Sequence, residues 1–176
     1  MTRNDRYMDL WGVAEDHFGL LTTKQAEENG VTKQHLVKMA ERGAVIRLGR
    51  GVYQVKHHVR GPLDHFAAAV AIVGETAYLR GASVLAMFGL CATNPSLIYV
   101  GANTRVRRKV PEGIIVKDAQ RESVVDYNGI RCQSVIAALR EAKREGTVDG
   151  ERIVEASRVA KEKGLISDAE STEFES

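Results

Sequence analysis

The hydrophobic positions near the start of the chain recur at the spacing of helices packed on one another. Residues 5–17 form the first predicted helix. Thr22 or Thr23 is placed to cap a second helix and Thr32 a third, because threonine oxygens accept hydrogen bonds from free N–H groups at helix starts. Gly30 lies in the turn between the second and third helices, where glycine permits a positive φ.

The third predicted helix has one apolar and one polar side, and a hairpin follows it. Three apolar residues face inward: Leu36, Met39 and Ala40. Gly43 ends the helix, and residues 44–48 and 52–55 are β-prone runs around a tight turn at 49–51. This order of elements is typical of a winged helix-turn-helix, whose second helix commonly enters the DNA major groove.

The remainder of the chain predicts helices and strands in mixed order. Residues 56–62 are polar with a Gly-Pro break and are interpreted as a linker. Apolar helices are predicted over 62–73 and 83–88. Strand candidates follow at 97–101, 114–117, 123–127 and 130–133. Asn128-Gly129 between the last two favours a type I′ hairpin.

Ser134, Asp149 and Ser167 are placed to cap three further helices. The predicted fold class is therefore α+β. A winged helix-turn-helix domain is expected over residues 1–58, and a domain of helices and mostly antiparallel strands over residues 62–176.

Charge is distributed unevenly along the chain, although the formal net charge is only +2. Residues 31–61 contain one acid, Glu41, and seven basic residues: Lys33, Lys38, Arg42, Arg47, Arg50, Lys56 and Arg60. This basic segment coincides with the third helix and the hairpin, where a DNA-binding protein contacts phosphates.

Composition gives two further expectations. No apolar run reaches the length of a membrane span, and the first residues lack the apolar core of a signal peptide, so a cytoplasmic protein is expected. Cys91 and Cys132 have no metal-ligand spacing and are interpreted as free buried thiols.

Seven residues are candidates for DNA binding: Thr32, Lys33, Gln34, His35, Lys38, Arg47 and Arg50. Gln34 suits a bidentate contact with adenine, and Lys33 or Lys38 a contact with guanine or phosphate. Arg50 at the hairpin tip is placed to reach a phosphate or the minor groove. The alternative is an ordinary solvated helix face and turn. Tyr53 and Trp11 are expected to be structural.

A second basic cluster lies in the later part of the chain, at Arg105, Arg107, Arg108 and Lys109. It suits either a second DNA-backbone contact or a surface for an acidic partner, and a solvated loop is the alternative. The acidic C-terminal residues are expected to form a frayed tail unless they contact a basic partner.

Catalytic motifs are not found in the sequence. His57, His58, Asp64 and His65 do not have the spacing of a metal site, and no glycine-rich phosphate loop precedes a helix. No cofactor or metal is expected. A DNA-modifying enzyme with a winged specificity domain remains a third hypothesis, without a motif in its favour.

The first domain contains three short motifs, Gly19–Thr22, Arg42–Val45 and Arg50–Tyr53. Together they resemble the N-terminal domain of AbiEi-type antitoxins, which belong to type IV toxin–antitoxin and abortive-infection systems. A later segment at 79–90 is similar to a helix that follows in this family, with Ser83, Leu85, Gly89 and Leu90 in register. The resemblance extends from about Gly19 to Ala142.

The resemblance implies two activities. The winged domain would bind an inverted-repeat operator and repress its own operon, and the second domain would neutralise a nucleotidyltransferase-like toxin, directly or functionally. The alternative function is a stand-alone winged-helix transcriptional regulator whose second domain senses a ligand or dimerises. The oligomeric state is left open.

Overall fold

The computed structural model describes residues 3–103, 105–107, 109–119 and 123–175, with side chains described from Tyr7 onward. The chain divides into two compact units, Met1–Ile72 and Val73–Ser176. Each unit combines helices with a β-sheet, and the predicted α+β class is confirmed. The domain limits of 1–58 and 62–176 stay a prediction.

The first unit is built from helices around a small sheet. Its helices are α1 (Arg3–Glu15), α2 (Thr23–Glu28), α3 (Lys33–Glu41) and α4 (Asp64–Val73), the last of which ends at the division between the units. Its strands are β1 (Leu20–Thr22), β2 (Val45–Gly49) and β3 (Val52–Val55), which form an antiparallel sheet in the order β1-β3-β2. The sequence did not predict β1, because three residues are too short for an alternating pattern to show.

The core of the first unit joins all of these elements except α4. It includes Leu10 from α1, Ala26 from α2, Leu36 from α3 and Tyr53 from β3, of which Tyr53 is 2% exposed. The prediction that Tyr53 is structural is confirmed. Trp11 is partly buried and packs against the same cluster. Burying side chains of this size contributes about 1.5–3 kcal/mol each, which offsets much of the entropy lost by short helices.

The second unit surrounds a five-stranded sheet. Its helices are α5 (Ala82–Met87), α6 (Val135–Glu145), α7 (Gly150–Glu162) and α8 (Asp168–Thr172). Its strands are β4 (Tyr78–Leu79), β5 (Ile98–Ala102), β6 (Ile114–Asp118), β7 (Val124–Tyr127) and β8 (Ile130–Gln133), in the order β6-β5-β4-β8-β7.

The sheet of the second unit is mixed, which corrects the expectation of mostly antiparallel strands. β4 pairs antiparallel with β5 and parallel with β8, β5 pairs parallel with β6, and β7 pairs antiparallel with β8. One parallel pair involves β4, a two-residue strand that the sequence did not predict and that lies at the centre of the sheet. The other joins β5 and β6, two predicted strands whose relative direction no local pattern specifies. The β7–β8 turn is as predicted, because Asn128 and Gly129 both have positive φ, at 51° and 81°.

The C-terminal residues are packed, and the expectation of a frayed tail was wrong. Phe174 is 2% exposed, and the Ser157 and Ser171 hydroxyls lie 3.0 Å apart within the interior. Ser167 caps α8, as predicted, in a capping box with Glu170. The sequence pattern missed the packing because a single aromatic residue among acidic ones gives no periodic signal.

Ser134 and Asp149 occupy the predicted cap positions of α6 and α7, but their side chains form no capping hydrogen bond. Among the described residues, every helix is too short or too polar to span a lipid bilayer.

Candidate DNA-binding interface

The turn between α2 and α3 fixes the angle at which the two helices meet. Thr22 caps α2 in a capping box with Gln25, and the Thr32 hydroxyl accepts a hydrogen bond from the N–H of His35 at the start of α3. Gly30 has φ of 73°, and the N–H of Val31 donates to the carbonyl of Ala26 at 2.8 Å. These contacts satisfy N–H and C=O groups that helix ends otherwise leave open. With the two helices held at this angle, the side of α3 that faces away from the core does not contact α2.

The two sides of α3 differ in exposure, as the sequence predicts. Leu36 is fully buried and Met39 is 5% exposed. Five residues of α3 are exposed: Lys33, Gln34, Val37, Lys38 and Glu41. The helix therefore presents a row of long polar side chains, with one valine among them, on the side opposite the core.

His35 differs from the other candidates on α3 because its ring is partly buried and already has a partner. The Tyr7 hydroxyl lies 2.6 Å from Nε2 of His35, and the two rings meet edge to face with centroids 5.8 Å apart. This pair holds α1 against the start of α3. A contact between Nε2 of His35 and DNA would compete with the Tyr7 hydrogen bond.

The hairpin of β2 and β3 forms the wing, and its tip is tied to α2. The N–H of Thr23 donates to the carbonyl of Gly51 at 2.9 Å, which connects the tip to the start of the helix. Arg47 and Arg50 are exposed on this hairpin, and Nε of Arg47 donates to the Gly49 carbonyl at 3.3 Å. The wing therefore holds its two arginines on a braced turn.

The basic side chains of residues 31–61 are exposed. They are Lys33, Lys38, Arg42, Arg47, Arg50, Lys56 and Arg60. Within the described part of the chain, no carboxylate forms an ion pair with any of them. Surface cations without carboxylate partners keep their full attraction for phosphate.

The second basic cluster belongs to the other unit, in the connection between β5 and β6. Arg105, Arg107 and Lys109 are exposed there, and Arg108 lies outside the described residues. Exposed cations at three alternate positions fit both a contact with the DNA backbone and a surface for an acidic partner. The geometry favours neither role over the other.

A cleft in the first unit was not predicted from the sequence. It has a volume of about 390 Å³ and is lined by residues that include Trp11, Val55 and His57. His58 forms one wall, and its Nε2 lies 2.7 Å from a carboxylate oxygen of Asp64. A Cβ on Gly19 would lie only 2.3 Å from the His58 ring, and Gly19 has φ of 70°. This close approach explains the glycine in the first of the family-like motifs.

The second unit contains a buried polar network that joins β4, β8 and α6. Arg80 is 1% exposed and donates to both carboxylate oxygens of Glu141, at 2.7 and 2.8 Å. Gln133 donates to Glu141 at 2.6 Å and accepts from the N–H of Gly81 at 2.7 Å. Since 61 residues separate Arg80 from Glu141, no local motif in the sequence signals the pair. The network is structural in character, because its charges neutralise each other.

Possible metal ligands and free thiols are the two features of the described residues that bear on catalysis. No three histidine, cysteine, aspartate or glutamate side chains among them converge as a metal ion would require. Burial raises the pKa of the Cys132 thiol to about 11 and also raises the pKa of Cys91. Both thiols are therefore protonated near neutral pH, which makes them poor nucleophiles.

The capped α2–α3 pair, the polar face of α3 and the braced basic hairpin together define a winged helix-turn-helix of the DNA-binding class. Residues 13–56 match a family model described as "Transcriptional regulator, AbiEi antitoxin". The resemblance drawn from the sequence is therefore confirmed over this segment, which is a quarter of the chain. No curated protein matches the chain.

Proposed function

We propose that this protein is the antitoxin of a type IV toxin–antitoxin system. Its first unit binds an inverted-repeat operator and represses its own operon, and its second unit neutralises a nucleotidyltransferase-like toxin. The observation that carries the DNA-binding part is the exposed cationic side of α3 and the wing, which lies within the segment that matches the AbiEi family.

The roles on DNA follow from the chemistry of each side chain. Gln34 offers a donor and an acceptor to an adenine edge, whereas Lys33 and Lys38 suit guanine or phosphate. Arg47 and Arg50 on the wing neutralise phosphates or enter the minor groove. Thr32 at the start of α3 lies where a phosphate is attracted by the positive end of a helix.

DNA binding is tested with the DNA upstream of the gene and full-length protein. Lys38→Ala and Arg50→Ala should each weaken binding, and a variant that loses a phosphate contact should reduce the slope of log K against log salt by about 1. Arg152→Ala is the matched control, since Arg152 is exposed on α7 in the other unit. Unchanged operator affinity in both first-unit variants would remove these two residues from the interface.

The antitoxin part is tested by co-expression with the adjacent gene. Full-length protein should restore growth, whereas residues 1–60 alone should not. Full-length Lys38→Ala and Arg50→Ala should still restore growth from an unrelated promoter, because the proposal assigns neutralisation to the second unit. A neighbouring gene that encodes no nucleotidyltransferase-like protein, together with intact operator binding, would favour the stand-alone regulator instead.

The cluster of Arg105, Arg107 and Lys109 is part of the same proposal. Reversing these three charges to glutamate separates its two suggested roles. A loss of growth rescue with unchanged operator affinity would assign the cluster to an acidic surface of the partner, and the opposite result would assign it to DNA. An absence of both effects would leave it a solvated loop.

A further inference from the structure

Val37 is an apolar side chain on a helix face that is otherwise polar. It is 40% exposed, and it is not part of the core of the first unit. Its neighbours on the outer side of α3 are Gln34, one turn before it, and Lys38 and Glu41, beside and after it. Val37, Lys38 and Glu41 follow Gln34 by three, four and seven residues, which places all four side chains along one stripe of the helix.

The position of Val37 is unfavourable for the free protein. A β-branched residue is a weaker helix former than alanine or lysine, by a few tenths of a kcal/mol. Valines in helices usually offset that cost by burial, but Val37 lies on the side of α3 opposite the buried Leu36 and Met39. The side chain of Val37 therefore keeps its methyl groups available to something outside the unit.

The charges around Val37 indicate the kind of molecule that covers it. Two lysines, Lys33 and Lys38, and one carboxylate, Glu41, lie on the exposed side of α3, so cations are in excess there. No carboxylate in the described residues pairs with the two lysines. A second copy of the chain placed face to face would bring these cations together. An anionic partner that also offers an apolar group fits this face better than a second copy does. DNA is such a partner, because the 5-methyl group of thymine is exposed in its major groove.

We propose that Val37 is a specificity residue that packs on the 5-methyl group of a thymine in the operator. The thymine belongs to a base pair next to the one that Gln34 contacts, because the two side chains lie one helical turn apart on the same stripe. This inference rests on the proposed function, in which α3 enters the major groove. It adds that the protein distinguishes thymine by its methyl group.

The test uses full-length protein and an operator fragment in which each thymine is replaced, one at a time, by deoxyuridine. This replacement removes the methyl group and leaves the base pairing unchanged. At one position in each half-site the wild-type protein should lose affinity about threefold to fivefold, the value expected for burial of one methyl group. Val37→Ala should lose a similar factor on the thymine operator and should show no further loss at that position.

Val154→Ala is the matched control, since Val154 is a valine on α7 with 42% exposure. It should retain the full deoxyuridine penalty. The fluorescence of Trp11, the one tryptophan of the chain, checks that Val37→Ala remains folded. Val37→Thr, which keeps the shape of the side chain and one of its two methyl groups, should show an intermediate penalty.

The outcomes separate this inference from the function on which it rests. Operator binding with a deoxyuridine penalty that is the same in wild type and Val37→Ala would overturn the role of Val37 and leave the repressor intact. A wild-type protein that does not bind its upstream DNA would overturn the proposed function and the role of Val37 with it.

Discussion

The hydroxyl of Tyr7 and Nε2 of His35 lie 2.6 Å apart, and this hydrogen bond joins the first helix to the start of the recognition helix. The residues are 28 positions apart in the chain, and His35 is adjacent to Gln34, a residue proposed to contact a base. The orientation of α3 therefore depends on a contact made from α1.

A double-mutant cycle on Tyr7→Phe and His35→Ala tests this dependence. Each change should lower the free energy of unfolding of the first unit by about 0.5–1.5 kcal/mol, because each removes one partner of a hydrogen bond. The double variant should lose less than the sum. Urea denaturation followed by Trp11 fluorescence measures the effect in this unit, since Trp11 packs on its core. Additive losses would show that the two side chains do not interact.

Thr32 combines a structural and a proposed DNA-binding role, and three substitutions separate them. Thr32→Ala should lower stability by about 0.5–2 kcal/mol through loss of the cap. Thr32→Ser keeps the capping oxygen and should be close to wild type in both properties. Thr32→Asp should keep the stability, because aspartate caps well, but should weaken DNA binding through repulsion of phosphate.

The Thr32 variants are compared by Trp11 fluorescence for stability and by fluorescence anisotropy with labelled operator for binding. Equal operator affinity for Thr32→Asp and the wild type would place Thr32 away from the phosphates.

The buried pair of Arg80 and Glu141 predicts a large effect from a small chemical change. Glu141→Gln keeps the shape of the side chain but removes the carboxylate that accepts two hydrogen bonds from Arg80, and the remaining carboxylate, that of Glu145, lies 3.8 Å away. Breaking a buried pair in this way costs about 3–5 kcal/mol. Combining Arg80→Met with Glu141→Leu should be less harmful than Glu141→Gln alone, since no charge then remains buried. Arg158→Ala is the control, because Arg158 pairs with Glu155 and Glu162 on the exposed surface of α7.

Urea denaturation followed by circular dichroism measures these variants, and the control should have the wild-type midpoint. A Glu141→Gln protein as stable as the control would mean that water or another group compensates the charge of Arg80.

The packing of the C-terminal helix should depend on pH. The N–H and hydroxyl of Ser167 lower the pKa of Glu170 below its ordinary value of 4.5, and the hydrogen bond from Arg140 lowers the pKa of Glu173 in the same direction. A carboxyl whose pKa is lower in the folded state stabilises that state above the unfolded pKa and loses this contribution as the pH falls through the folded pKa. We therefore expect α8 to be protected near neutral pH and to open on acidification below 4.5.

Amide hydrogen exchange of residues 168–174 at about pH 7 and about pH 3, corrected for intrinsic exchange, measures this opening. Glu170→Gln is the control, because glutamine also completes a capping box but does not titrate. It should show a weaker pH dependence. Equal protection of the wild type at both pH values would contradict the role of the two carboxylates.

Local chemistry explains which parts of the fold were predictable from the sequence. Thr22 and Thr32 cap helices through hydrogen bonds to residues three positions later, and Asn128-Gly129 sets its own turn. The exposed side of α3 is equally local, since periodicity separates it from Leu36 and Met39. For that reason the candidate residues on α3 and the wing could be selected before the fold was described.

Other features depend on partners that are distant in the sequence. β1 and β4 are strands because β3, β5 and β8 are present to pair with them, and their own two or three residues carry no pattern. The contact between Tyr7 and His35 likewise requires the packed core to bring α1 to α3. These features follow from tertiary structure, which overrides local preference.

The two-residue strand β4 lies between two strands that the ribosome synthesises after it and at different times. It pairs with β5, from residues 98–102, and with β8, from residues 130–133, so it has both of its partners only after Gln133 has been synthesised. The residues of the first unit all precede position 73. At about 5–20 residues per second, synthesis presents the complete DNA-binding sequence several seconds before the second sheet is able to close. Each new copy therefore passes through an interval in which it has the residues to hold DNA but lacks the unit proposed to oppose the toxin.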